Sequence, residues 1–284
     1  MLISGVSGAL LFEGGPIRRS PQRPPRSVDA VSGTIRRLGA GRPTGDLPLE
    51  LADLHRALDP GDRLVCRLEP VPDANWCSQQ ALDLVVGAGF RALGEPVAAG
   101  RFVELDLERI HSLPDTVAPR MRLLVVGLNP SPYSSERGVG YARPGNRFWP
   151  AALASGVASM DRDPGHALEH HGLGMTDLVR RTTARAEEVD PEEFSDGFAR
   201  VERLVGWLAP RAACFVGLGA WRSVVDRRAV AGIQPQQVGG RPVYLRPRTS
   251  GLNAHSRLAD LVYHLGAAAR LADHSPGNLT EPGP

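Results

Sequence analysis

The run Leu123-Leu124-Val125-Val126 passes directly into the turn Gly127-Leu128-Asn129-Pro130. Open α/β sheets place ligand sites where their strands end. Gly127 permits close backbone approach there, and Pro130 stiffens the exit. The Asn129 amide donates through its NH2 and accepts through its carbonyl, so it can hold a water molecule while remaining a very weak base. It is equally suited to be a plain turn former. Twelve residues on comes Tyr141, a ring able to stack on a planar ligand, and then Pro144-Gly145-Asn146-Arg147-Phe148-Trp149. Near the other end, Ser250-Gly251-Leu252-Asn253-Ala254-His255 sets one apolar residue in a polar loop, where Ser250 or Asn253 would also cap a following helix.

Composition narrows the chemistry. All 33 basic residues are Arg, so no lysine amine exists to form a Schiff base. Three cysteines, Cys66, Cys77 and Cys214, are too few for a four-Cys zinc or iron–sulfur site, and no cofactor or metal is expected. His170-His171 beside Glu169 has no third ligand in view and reads as a loop or helix end. No apolar run reaches membrane-spanning length, and the first twelve residues lack the basic start of a signal peptide. The expectation is therefore a cytoplasmic protein, monomeric and without a membrane partner. Net charge is only +2 but uneven. Residues 1–45 carry seven Arg against two acids, 46–115 six against thirteen, and 116–284 twenty against sixteen. Such a distribution allows a basic face for a polyanion without demanding one.

The elements that must position these residues follow from periodicity. Residues 1–46, rich in Arg, Pro, Gly and Ser, read as a disordered segment, either a solvated tail or an arm that tracks phosphates. A small α/β block over 47–115 has helices over 49–58 and 78–87 and strands over 63–68 and 102–105. Residues 116–271 read as an α/β domain with strands over 123–126, 213–216 and 242–245. Its helices are expected over 148–155, 191–208, 220–226 and 256–271. Strands separated by helix-length segments imply a central parallel sheet covered on both faces. Residues 272–284 form a polar, disordered tail.

Two resemblances add to this reading. The 47–93 block, with Asp59-Pro60-Gly61-Asp62 and Gly87-Ala88-Gly89-Phe90, resembles the C-terminal part of a class I methyltransferase. The glycine-rich cofactor turn of that family has no counterpart among the 46 residues before it, so the block reads as a remnant or appendage. The Gly-Leu-Asn-Pro turn, Tyr141 at its spacing and the Pro-Gly-Asn-Arg-Phe-Trp segment resemble the mismatch-specific uracil/thymine DNA glycosylases of the uracil-DNA glycosylase superfamily. The resemblance continues through Gly172-Leu173-Gly174-Met175-Thr176-Asp177-Leu178-Val179 and Val216-Gly217-Leu218-Gly219 to Ser250-Gly251-Leu252-Asn253.

That second resemblance implies a three-layer α/β/α glycosylase domain. It would excise uracil, and also thymine or etheno-cytosine, from mispairs with guanine in double-stranded DNA by base flipping. Asn129 would place the water that attacks C1′; Leu128, Ser131 and Ser134 would hold the base and Tyr141 would stack on it. Ser250, Gly251, Leu252 and Asn253 would form the wedge and opposite-strand contacts. Arg143, Arg248 and His255 would meet phosphates, with Arg147, Arg246 and Arg257 further candidates. Asn146 would brace its loop, Phe148 and Trp149 would sit in the core, and Asp177 would be structural. Ser131 stands where the family usually has Gly, and Arg248-Thr249 where it commonly has Asn-Pro. A non-catalytic DNA-binding member of the same fold, using 47–115 as an interaction surface, is the competing reading.

Overall fold

The computed structural model describes residues 35–249 and 257–275. Ser250, Gly251, Leu252, Asn253 and His255 lie outside the described residues. The first elements are β1 (Arg36–Leu38), α1 (Leu47–Ala57), β2 (Arg63–Leu68) and α2 (Ser78–Gly87), followed by β3 (Phe90–Ala92), β4 (Val97–Ala99) and β5 (Phe102–Arg109). They build a sheet in the order β1-β2-β5-β3, with β4 also on β5. Period-two alternation buries Leu64, Cys66 and Leu68 of β2 with Val103, Leu105 and Leu107 of β5, against Leu47 and Leu51 of α1 and Leu84 and Val85 of α2. The opposite face pairs Arg63 with Glu108 and Arg67 with Glu104 across the β2–β5 ladder, which accounts for part of the acid excess in this stretch.

Order begins earlier than composition implied. Within the stretch read as disordered, Arg36–Leu38 pairs parallel with β2, the Gly39 N–H donates to Glu50 Oε2 (2.8 Å) and Thr44 Oγ1 donates to Asp73 Oδ2 (2.6 Å). The strand is built from backbone groups on an existing sheet edge, which side-chain composition does not register.

The second sheet contains β6 (Leu123–Gly127), β7 (Leu173–Asp177), β8 (Ala212–Val216), β9 (Gly232–Val238) and β10 (Arg241–Arg246). Its helices are α3 (Pro132–Arg137), α4 (Phe148–Ala154), α5 (Pro164–His171), α6 (Pro191–Leu208), α7 (Leu218–Val224) and α8 (Leu258–Asp273). Strand order is β7-β6-β8-β10-β9; four strands are parallel and β9 is an antiparallel edge, so the sheet is mixed rather than wholly parallel. Every residue of β6 and β8 is buried. Leu124, Val126, Ala213 and Phe215 face one core with α6 and α7, while Leu123, Val125, Ala212 and Cys214 face another with α4, α5 and α8. After β6 the chain pairs β7 on one side, then crosses to β8 on the other, creating a switch point whose crevice opens at the carboxyl ends of these strands.

A buried polar cluster joins the two sheets, and the described residues fall in one compact unit. Asp115 accepts from Arg180 Nη1 (2.8 Å), Arg200 Nη1 (3.0 Å) and Thr176 Oγ1 (2.7 Å). Arg180 Nη2 donates to the carbonyls of Gly87 (2.8 Å) and Leu113. A Cβ on Gly87 would lie 2.4 Å from Asp115 Oδ2, so only glycine fits this close approach.

Candidate active site

A cavity of about 780 Å³ opens at the carboxyl ends of the second sheet. It brings together Leu128, Asn129, Ser131, Ser134 and Tyr141, with Arg143 and Arg248 at the same cavity. Beyond the strand ends the chain after β7 runs beside the Gly127–Pro130 turn: Leu178 and Val179 N–H donate to the carbonyls of Gly127 (3.0 Å) and Leu128 (2.9 Å).

This neighbouring segment orients Asn129. Its Nδ2 donates to Thr183 Oγ1 (2.7 Å) and to the Arg181 carbonyl (3.2 Å). Thr183 Oγ1 spends its only proton on the Arg185 carbonyl (2.7 Å), so toward Asn129 it can only accept. Two acceptor-only neighbours fix the amide with nitrogen toward them and leave Oδ1 as the group able to accept from a water. Arg181 is itself anchored, its guanidinium donating to both carboxylate oxygens of Glu193 (2.7 and 2.6 Å). Glu193 also accepts from the Asp190 N–H (3.0 Å) at the start of α6. Thr183 was not singled out in the sequence. Thr183→Val is expected to slow any reaction using an Asn129-held water by about ten- to a hundredfold, because the amide loses its orientation. Ligand affinity should stay unchanged and Thr183→Ser should restore the rate; full activity in the Val variant would remove Thr183 from this role.

Tyr141 has φ 59°, a left-handed conformation in which a bulky aromatic residue is strained. The backbone is held there by Trp149, whose Nε1 donates to the Gly140 carbonyl (2.8 Å). The conformation lays the Tyr141 ring on Phe148, centroids 4.2 Å apart and planes 15° from parallel. Phe148 and Trp149 are fully buried, and Asn146 Oδ1 accepts from the Phe148 N–H (2.9 Å). The Arg147 N–H donates to the Thr249 carbonyl (3.0 Å), tying the two motif-bearing loops together.

Ser131 caps α3, its Oγ accepting from the Ser134 N–H (3.2 Å) and donating to Ser134 Oγ (3.1 Å). Its side chain is thus turned into the helix start. The Arg248 side chain lies over the Gly217 turn, where a Cβ would meet its Cγ at 2.9 Å. Arg246 is fully buried, which removes it from the set of phosphate contacts. His170 and His171 end α5, with His171 Nε2 2.8 Å from Ser159 Oγ.

Asp177, read from sequence as structural, stands in the cavity wall at the end of β7, in register with Gly127. A Cβ on Gly127 would lie 2.0 Å from Asp177 Oδ1 and 2.9 Å from the Tyr141 hydroxyl, so glycine makes room for both groups. Burial pushes the Asp177 carboxyl up to about 6, with Arg180 lowering it, Asp115 raising it and Arg200 lowering it. Tyr141 is pushed well above the usual phenol range by burial and by Asp177, so its hydroxyl stays protonated. The missed signal was β7 itself: once 173–177 is placed beside β6, Asp177 falls at the same sheet end as Gly127.

Residues 114–267 match the sequence model of the uracil DNA glycosylase superfamily. The G/U mismatch-specific uracil DNA glycosylase of Schizosaccharomyces pombe is 29% identical over 161 residues, covering 52% of this chain and 50% of that protein. The chain thus spans about half the length of this curated relative. A solution NMR structure of a Methanosarcina acetivorans protein, provisionally assigned as a uracil DNA glycosylase, covers 57% of this chain and 97% of its own, at 20% identity and a TM-score of 0.41. The matched stretch takes in more than half of the chain, with the Asn129 turn, the Tyr141 platform and Asp177 all inside it, and on that ground the protein belongs to the uracil DNA glycosylase superfamily.

Proposed function

We propose that the protein is a monofunctional DNA glycosylase that hydrolyses the N-glycosidic bond of uracil mispaired with guanine. The observation carrying this reading is the Asn129 amide, its donors consumed by Arg181 and Thr183 and its carbonyl oxygen left to hold water. The target nucleotide is flipped out of the duplex, and its base stacks on Tyr141 in place of its lost neighbours. Leu128, Ser131 and Ser134 border the base. Water held by Asn129 attacks C1′; the new C–O bond forms as the C1′–N1 bond breaks, with its electron pair leaving on the base. The ionised Asp177 carboxylate takes the water proton. Leu252 fills the vacated stack, Ser250, Gly251 and Asn253 contact the opposite strand, and Arg143, Arg248 and His255 bind phosphates.

In this reading residues 116–271 form a three-layer α/β/α catalytic domain acting as a monomer, and the 47–115 block is a methyltransferase-derived appendage. With no lysine in the chain, the product is an intact abasic site. Duplexes carrying G·U, A·U, G·T and etheno-cytosine opposite guanine, followed by alkali to reveal abasic sites, test the proposal. The fastest release is expected from G·U. No release from any duplex at enzyme excess would leave a non-catalytic DNA-binding module instead, and strand cleavage without alkali would contradict the monofunctional assignment.

A further inference from the structure

Arg246 ends β10 with its side chain fully buried, and among the described residues none of Nε, Nη1 and Nη2 has a hydrogen-bond partner. The contrast with Arg180 and Arg200 is direct: both are also buried, and both are answered by Asp115. Among the described residues the titratable groups around Arg246 are the thiol of Cys214, the phenols of Tyr141 and Tyr244 and, beyond Tyr244, the imidazole of His264, whose proton affinity burial and Arg246 lower. The guanidinium lies 5.7 Å from the centre of the Phe148 ring. Burial lowers its proton affinity, yet an arginine starts so high that it stays cationic at neutral pH. An isolated buried charge is among the most destabilising features a fold can hold.

Its location suggests what it is kept for. Phe148 is the plate on which Tyr141 stacks, and Tyr141 lines the cavity where the base is proposed to lie. The Arg246 carbonyl accepts from the Gly217 N–H (2.8 Å), fixing the strand end just before Pro247 and Arg248 reach the cavity.

We propose that Arg246 is an electrostatic positioning residue whose fixed positive charge, beside the Phe148–Tyr141 stack, stabilises the negative charge that gathers on the departing pyrimidine. The inference rests on the glycosylase reading and deepens it. Aromatic plates exclude water, so the field is weakly screened, and a charge already in place needs no reorganisation as the C1′–N1 bond breaks. The electron pair of that bond goes to the base; Arg246 transfers no proton, and the base is protonated after it leaves.

Single-turnover release from G·U and from guanine·5-fluorouracil duplexes, with wild type, Arg246→Met and Arg246→Lys, tests this. Arg246→Met is expected to slow uracil release by about tenfold or more, as suits a charge acting at a distance in a poorly screened site. The loss on 5-fluorouracil should be clearly smaller, because fluorine already stabilises the anion. Arg246→Lys, which keeps the charge, should stay nearer wild type. The thermal midpoint of Arg246→Met should equal or exceed that of wild type, since a costly unpartnered ion is gone. Equal losses on the two bases, a wild-type rate in the Met variant, or a Met variant that unfolds more readily or fails to fold would each overturn the proposal. A wild-type protein that releases neither base would instead bring down the glycosylase reading beneath it.

Discussion

Asn129→Ala should lose about a thousandfold in single-turnover uracil release while binding a G·U duplex within a few-fold of wild type. The size follows from what the amide does. Its nitrogen is held by an anchored loop, so its oxygen presents a fixed acceptor to water before substrate arrives. Alanine removes that acceptor together with the two Nδ2 donations, while the loop keeps its own ties from Arg181 to Glu193 and from Thr183 to Arg185. Asn129→Asp offers a sharper contrast. A carboxylate is the stronger base, yet one of its oxygens would face the Arg181 carbonyl, which has no proton, and Thr183 Oγ1, whose one proton is engaged by the Arg185 carbonyl. The Asp variant should therefore fail to recover activity. Rescue by Asp, or a rate within a few-fold of wild type in Ala, would show that Asn129 does not hold the attacking water.

The second large effect concerns Asp177. Asp177→Asn is expected to slow release by about a hundred- to a thousandfold and to abolish its acid limb. The carboxyl must be ionised to accept the water proton, and its raised value near 6 means that it protonates as pH falls through that point. Wild-type rates should rise with pH to about 6 and then level, while the Asn variant stays flat. The same shift acts on stability with the opposite sense. A carboxyl whose folded value lies above its ordinary value of 3.8 favours the fold at low pH, and that contribution is lost as pH rises through about 6. Asp177→Asn should consequently unfold at a higher temperature than wild type at neutral pH. A persistent acid limb in that variant would assign the titration elsewhere.

How much of this was legible depended on the kind of force at each place. β6 and β8 announce themselves because burial on both faces demands an unbroken apolar run, and α6 because Asp190, Pro191 and Glu193 mark its start. β7 was hidden by Gly174, Thr176 and Asp177, which interrupt the apolar pattern. β9 was hidden by its glutamines and Pro235, admissible because the strand lies at the sheet edge. Losing β7 meant losing the neighbour relation that puts Asp177 beside Gly127. Asn129 and Tyr141 were singled out by motif spacing, but the strained Tyr141 backbone and the orientation of the Asn129 amide depend on Trp149 and Thr183, contacts that only folding creates. Arg246 was misplaced because charge in a sequence suggests a surface, whereas its burial is set by the layers packed around β10.

The cluster around Asp115 has a consequence for the history of this chain. Gly87 lends a carbonyl, and Asp115 a carboxylate, to arginines that lie more than sixty residues further along. Whatever the origin of the stretch before the glycosylase region, it has become a dependency. A descendant that discarded it would take the Gly87 carbonyl from Arg180 and uncover a buried cluster whose carboxylate, Asp115, belongs to the matched region itself. The join works as a ratchet: easily entered when one partner was still dispensable, hard to reverse by single substitutions. Related chains carrying the leading unit should keep Gly87 wherever they keep Asp115, Arg180 and Arg200, and chains without it should be free to vary at Arg180, whose Gly87 acceptor they lack.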